Sequence, residues 1–133
     1  MLDARALAAA LAALLLTAPA AIADPDADGD GIPDSADNCV LVPNAPPVAD
    51  CDTDQDGYGN ACDADFDQGW TVNANDWKFF WIPTFTTQND TTGVDMDCNG
   101  IVTSADAILF DDYFDTGEVG PSGLACAGSP PCP

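Results

Sequence analysis

Aspartate alternates with other residues in two stretches of this chain, Asp26-Ala27-Asp28-Gly29-Asp30-Gly31 and Asp52-Thr53-Asp54-Gln55-Asp56-Gly57. Carboxylates at this spacing, ahead of a glycine that lets the backbone turn sharply, supply the six to eight oxygens at about 2.3 to 2.6 Å that a calcium ion takes. In such a twelve-residue loop, positions 1, 3, 5, 9 and 12 give side chains and position 7 gives a carbonyl. The first loop thus offers Asp26, Asp28, Asp30, Asp34 and Asp37, with the Ile32 carbonyl. The second offers Asp52, Asp54, Asp56, Asn60 and Asp63, with the Tyr58 carbonyl. A merely disordered acidic tract would not place glycine at position 6 twice.

Another loop downstream follows the same scheme: Asp95, Asp97, Asn99, Gly100, Thr103 and Asp106, with the Ile101 carbonyl. Between it and the second loop lies a damaged copy. Asp65, Asp67, Asn73 and Asp76 fall at positions 1, 3, 9 and 12, but Gly69 brings no oxygen to position 5 and Trp70 stands where the turn wants glycine. Weak or absent binding is expected there.

Short helices must carry the last two loops. Each acidic stretch runs into an apolar one, Asp65–Asp76 into Trp77–Ile82 and Asp95–Asp106 into Ala107–Phe114. Trp77, Phe80 and Trp81 share one helix face at i, i+3, i+4 spacing, which predicts a core against Ala107, Phe110 and Phe114. Trp70 and Phe79 are the best candidates for exposed aromatics, and Pro83 is expected to end the first helix. Asp24 to Asp63 shows neither helical nor strand period and is broken by Pro33, Pro43, Pro46 and Pro47, so irregular backbone wrapped around ions is expected. Residues 117–133 form a Gly/Pro-rich tail, expected as loop, that a Cys126–Cys132 bridge could close.

Composition narrows the function classes. The 133 residues include 23 acidic side chains, two basic ones and no histidine, for a formal charge of -21. Such a surface repels nucleic acid and anionic membranes, and metal cations are its natural counter-charge. Residues 1–23 read as a secretory signal: Arg5 near the start, an Ala/Leu run through Leu16, and an Ala21-Ile22-Ala23 cleavage pattern. The apolar run is shorter than the ~20 residues a membrane span needs. Lys78 would be the sole basic residue after cleavage. Export leads to an oxidising compartment, where the 6 cysteines can pair. Zinc is disfavoured by the missing histidines and the absence of any C-x-x-C pair. No enzyme activity is expected, because the groups that usually carry acid–base or nucleophilic chemistry are missing or engaged elsewhere. A chain of this size buries little core, so calcium and disulfides must hold it together.

The residues also resemble two known families. Asp26 through Asp63, with Asp37-Asn38-Cys39, Asn44 and Asp56-Gly57-Tyr58-Gly59-Asn60-Ala61-Cys62-Asp63, is similar to a thrombospondin type 3 repeat. That resemblance implies aspartate-ligated calcium, a Cys39–Cys62 disulfide and a part in extracellular or cell-surface architecture. The stretch from Asn44 to Asp52 is longer than the family's spacer and lacks its glutamine, and Cys51 is an additional cysteine. Pairing it with Cys98 would tie the two halves together, whereas a Cys39–Cys51 loop would displace the family bridge. The loop–helix units from Asp65 to Phe114 resemble a dockerin, the duplicated F-hand module that plugs enzymes into cohesin-bearing scaffolds; Asp76 and Asp106 at position 12 fit that family. Ala74-Asn75 and Ser104-Ala105 depart from the small hydroxyl residues that type I dockerins carry at positions 10 and 11.

The expected architecture is a mostly irregular calcium-wrapped repeat (24–63), then a small all-α, dockerin-like or EF-hand-like loop–helix pair (64–116) with little or no sheet. The expected function is a secreted calcium-binding structural or adhesive module at the cell surface or in extracellular space, with a surface or matrix protein as partner. The alternative is an adaptor that docks a cohesin-like partner in a polysaccharide-degrading assembly.

Self-repulsion among so many carboxylates predicts that the metal-free chain is largely disordered at neutral pH and that calcium folds it. A calcium titration followed by circular dichroism should show a cooperative gain of ordered signal. Unchanged amide dispersion and melting temperature in chelator would exclude this.

Overall fold

The computed structural model describes residues 23–45 and 51–132. The expected signal segment, apart from Ala23, lies outside the described residues, as do Pro46 and Pro47. Among the described residues there is no strand. The regular elements are a 3-10 turn, Asp34–Ala36, a first helix that begins as a π turn, Asp76–Trp81, and continues as α-helix Ile82–Thr87, and a second helix, Ser104–Phe114. No helix among these residues is long and apolar enough to cross a membrane. The mostly irregular architecture with a small helical pair agrees with the sequence reading.

The first helix runs through Pro83 rather than ending there. A proline inside an α-helix lacks the N–H for the ladder and its ring strikes the carbonyl four residues back. Here the preceding turn is wound wider, with the Ile82 N–H reaching the Trp77 carbonyl, and Pro83 sits just past that wider turn, where the π segment passes into the α segment. Gln88 then closes the helix with a left-handed φ of 56°. The second helix begins earlier than its apolar run, at Ser104. Thr103 accepts the Ala105 N–H and Asp106 accepts that of Thr103, a reciprocal cap set inside the acidic loop.

The core is broader than two helix faces. Phe66 and Met96 at position 2 of the last two loops, and Val72 and Val102 at position 8, turn inward beside Ala64, Val94, Trp81 and Phe110. Trp77 stacks on Trp81 at 4.1 Å and meets Phe110 at 5.4 Å, while Phe66 stacks on Phe110 at 5.7 Å. Phe114, expected in the core, is 42% exposed because it stands in the last helical turn, beyond the cluster. Trp70 and Phe79 are exposed, as expected. Val102 finds its backbone partner in a side chain: the Gln88 amide accepts its N–H and donates to its carbonyl, both at 2.9 Å.

Three disulfides link Cys39 to Cys62, Cys51 to Cys98 and Cys126 to Cys132. Of the alternatives open to Cys51, the chain takes the one that joins its halves. The tail beyond Gly117 is loop, but it is a strap rather than a free end. Gly120 and Gly123 donate to the carbonyls of Cys62 and Asp37 at 2.8 Å, and Gly128 and Cys132 donate to those of Asp56 and Gln55 at 2.7 Å. Its approach is close enough that a Cβ on Gly57 would come within 2.6 Å of the Cys132 sulfur.

Phe110, 3% exposed at the centre of the aromatic cluster, should be far more sensitive than Ile108, 67% exposed on the same helix. Denaturant unfolding in excess calcium should show Phe110→Ala losing about 3 to 5 kcal/mol. Ile108→Ala should stay within about 0.5 kcal/mol. Equal losses would show that the cluster is not the core.

Candidate metal centre

All four acidic loops make the same turn. Positions 4 and 6 are left-handed in each: Gly29 and Gly31 at 79° and 97°, Gln55 and Gly57 at 61° and 93°, Gln68 and Trp70 at 58° and 63°, Cys98 and Gly100 at 54° and 89°. The turn this makes aims the position 6 N–H at the position 1 carboxylate. Gly31 donates to Asp26 at 3.1 Å, Gly57 to Asp52 at 2.8 Å and Gly100 to Asp95 at 2.7 Å, and Trp70 donates to Asp65 in the same way. Trp70 therefore does not break its turn; it adopts the glycine conformation at a cost of roughly 1 to 2 kcal/mol. Its ring lies 65% exposed against the tail, where a Cβ on Gly128 would come within 2.4 Å of it.

The carboxylates gather in two patterns. Asp26, Asp28 and Asp30 bring oxygens within 4.8 Å of one another, as do Asp52, Asp54 and Asp56; in the last two loops the groups are Asp65, Asp67 and Asp76, and Asp95, Asp97 and Asp106. Thus the position 12 acid completes the cluster only in the loops that run into the two helices. There it is fixed from both sides: Asp76 accepts the N–H groups of Asp67 (3.1 Å) and Asn73 (2.8 Å), and Asp106 those of Asp97 (3.1 Å) and Thr103 (2.7 Å). In the first two loops the position 12 acids are buried one step away, Asp37 accepting the Cys39 N–H at 2.7 Å and Asp63 the Asp65 N–H at 2.9 Å.

Other expected ligand residues serve the loop frame. Asp34 accepts the Ala27 N–H at 2.7 Å and Asn60 the Thr53 N–H at 2.9 Å, so position 9 of these loops clamps position 2. Ile32, Tyr58 and Ile101 donate their N–H groups to Asp30, Asp56 and Asn99 at 2.8, 2.8 and 3.0 Å. Thr103 caps its helix. Gly69 is where the third loop lacks an oxygen, and a Cβ there would meet Asp67 Oδ1 at 2.5 Å, so the carboxylate of position 3 fills the space.

The electrostatics ask for a cation. Burial, then the charges of Asp56 and Asp52, push Asp54 up to about 6. Burial also raises Asp37, Asp56, Asp65, Asp76 and Asp95, and puts Asp63 well above the usual carboxylate range despite the N–H it receives from Asp65. Asp30 is the exception, lowered mainly by the N–H of Ile32. The donor set suits calcium: oxygens alone, with every cysteine among the described residues held in a disulfide. Two buried oxygens without a hydrogen-bond partner, Asp28 Oδ2 and Asn44 Oδ1, add room for a ligand at the first loop. Asn44 escaped the spacing argument because it lies outside the twelve-residue window; the chain brings it back by donating its N–H to Asp30 at 2.8 Å and its amide to Asn38 at 2.6 Å.

Comparison with known proteins agrees with this chemistry. The sequence model of the thrombospondin type 3 repeat matches residues 22–46 and 51–76. Such repeats are calcium-binding extracellular modules. The second match runs past Asp63 and takes in the whole third loop, which the sequence reading placed with the helical pair. No curated protein and no solved structure matches the chain.

Raised carboxylate values carry a definite sign. A group whose folded pKa lies above its unfolded value stabilises the fold below the unfolded pKa and loses that contribution as pH rises through the folded one. For Asp54 the window opens near 3.8 and closes at about 6. In chelator, the melting temperature should therefore fall as pH rises from 4, and the cooperative transition should be lost toward pH 7. Excess calcium should reverse the trend, because a bound cation favours the charged form. A chelated protein that gains stability over that range would contradict the burial of these acids.

Proposed function

We propose that this chain is an extracellular structural or adhesive module stiffened by calcium. The observation that carries the reading is the repetition of one loop geometry: the same pair of left-handed positions and the same amide-to-carboxylate bond in all four loops, over clusters built from oxygen. The ions would be held by Asp26, Asp28 and Asp30, by Asp52, Asp54 and Asp56, by Asp65, Asp67 and Asp76, and by Asp95, Asp97 and Asp106. Asn99 and the carbonyls of Ile32, Tyr58 and Ile101 would complete the shells, with Asp34, Asp37, Asn60, Asp63 and Thr103 as further oxygens beside them. The third loop is included because Trp70 keeps the turn. Secretion fits the three disulfides, which persist in oxidising compartments.

Elemental analysis after equilibrium dialysis, with calorimetry, tests this. The unmodified chain should hold one ion per loop, and Asp97→Ala and Asp67→Ala should each remove one. Full stoichiometry in Asp67→Ala would return the third loop to the damaged status its sequence suggests. A chain that binds no calcium at micromolar to millimolar levels would end the proposal.

A docking role is the second reading, favoured by a largely apolar groove of about 580 Å³ lined by Trp77, Ala107, Ile108, Phe110 and Phe114, with Ser104, Asp111 and Asp112 among its walls. Capture of a single partner with calcium, lost in chelator and in Ile108→Glu, would favour an adaptor over a structural element.

A further inference from the structure

We propose that Gln68 couples the third loop to the second, so that calcium in one strengthens calcium in the other. This rests on the reading that the loops hold calcium.

Gln68 occupies position 4 of the third loop, between Asp67 and Gly69, with a left-handed φ of 58° and its N–H on the Asp65 carbonyl at 3.0 Å. Its side chain leaves its own loop. The amide nitrogen donates to Asp54 Oδ2 at 2.8 Å and to Asp56 Oδ2 at 3.0 Å, the carboxylates at positions 3 and 5 of the second loop. One NH2 group therefore holds two like charges at a fixed separation and in fixed rotamers, while Asp56 Oδ1 stays with the Tyr58 N–H. The fourth loop reaches the same neighbour from its own position 4, where Cys98 is bonded to Cys51, the residue before Asp52. Asn60 adds a second tie, donating to the Asp95 carbonyl at 3.0 Å. The second loop is the hub that both later loops grip.

The coupling follows from where Gln68 sits. Asp65 and Asp67 flank it, so an ion in the third loop pins the backbone from which the amide reaches across. Once pinned, the amide loses little further freedom in orienting Asp54 and Asp56, and the second ion meets ligands already placed. By linkage the second ion strengthens the third-loop site by the same factor.

The test is a calcium titration of the full chain by amide NMR, because the position 6 N–H of each loop donates to that loop's position 1 carboxylate and reports it separately. Gly57 reads the second loop, Trp70 the third, and Gly31 the first, which Gln68 does not touch. Gln68→Asn keeps an amide and a residue at home in the left-handed region but falls one methylene short of Asp54 and Asp56. Gly57 should then need about fivefold more calcium, the lower end of usual coupling strengths, while Gly31 keeps its midpoint. Asp67→Ala alone should weaken Gly57 similarly, and in the double variant it should add nothing. A Gly57 midpoint unmoved by Gln68→Asn, or moved together with Gly31, overturns the coupling while leaving the calcium reading intact. If no loop amide of the unmodified chain responds to calcium, both fall.

Discussion

Carboxylates held within 4.8 Å of one another, four times over, are the constraint to which the rest of this structure answers. Two unit charges 4 Å apart cost about 4 kcal/mol at an effective dielectric of 20, and a small domain has only about 5 to 15 kcal/mol of net stability. A few such pairs would undo the fold if nothing offset them. The chain offers almost no basic side chains, and Lys78 is exposed, 4.9 Å above the ring of Phe79 rather than among the acids. Offset comes from backbone N–H groups aimed inward by the left-handed turns, and, on the proposed reading, from calcium.

That arrangement also explains why loop and core cannot be separated. In the last two loops positions 1 and 3 turn toward the acidic cluster and positions 2 and 8 into the aromatic core, so Phe66 and Val72 belong to the same turn as Asp65 and Asp67. Ordering the carboxylates places the apolar residues, and packing the apolar residues holds the carboxylates. The helices take part in this exchange: Asp76 and Asp106 complete the clusters, and the packed rings of Trp77, Trp81 and Phe110 close the core over both loops.

The first half has no such helices and is braced from outside. The Cys39–Cys62 bridge spans it, Cys51 fastens it to the fourth loop, and the C-terminal strap supplies donors to carbonyls of Asp37, Gln55, Asp56 and Cys62. Backbone groups in irregular structure need partners that regular ladders would otherwise supply. The glycines at 57, 120 and 123 let the strap lie close enough to provide them.

The sequence by itself determined the acidic clusters of the loops, because residue type and spacing act along a short window, and Asp26 to Asp30 or Asp95 to Asp106 can be read without knowing what surrounds them. It likewise determined the mostly irregular backbone and the two helical stretches, since prolines and i, i+4 spacing are local. It misjudged Pro83, where a wider turn upstream relieves the clash; at Trp70 the residue type argues against a conformation that the rest of its loop imposes. Only the tertiary structure decided which acid completes each cluster, the partner of Cys51, the reach of Gln68 to Asp54 and Asp56, and the strap over the first loops. Apart from the acid, which is chosen within its own loop, each of these joins residues distant in sequence through a few hydrogen bonds or one bridge, and such contacts leave no period or composition in the chain, because any residue with a suitable donor could have made them once the core had set the distances.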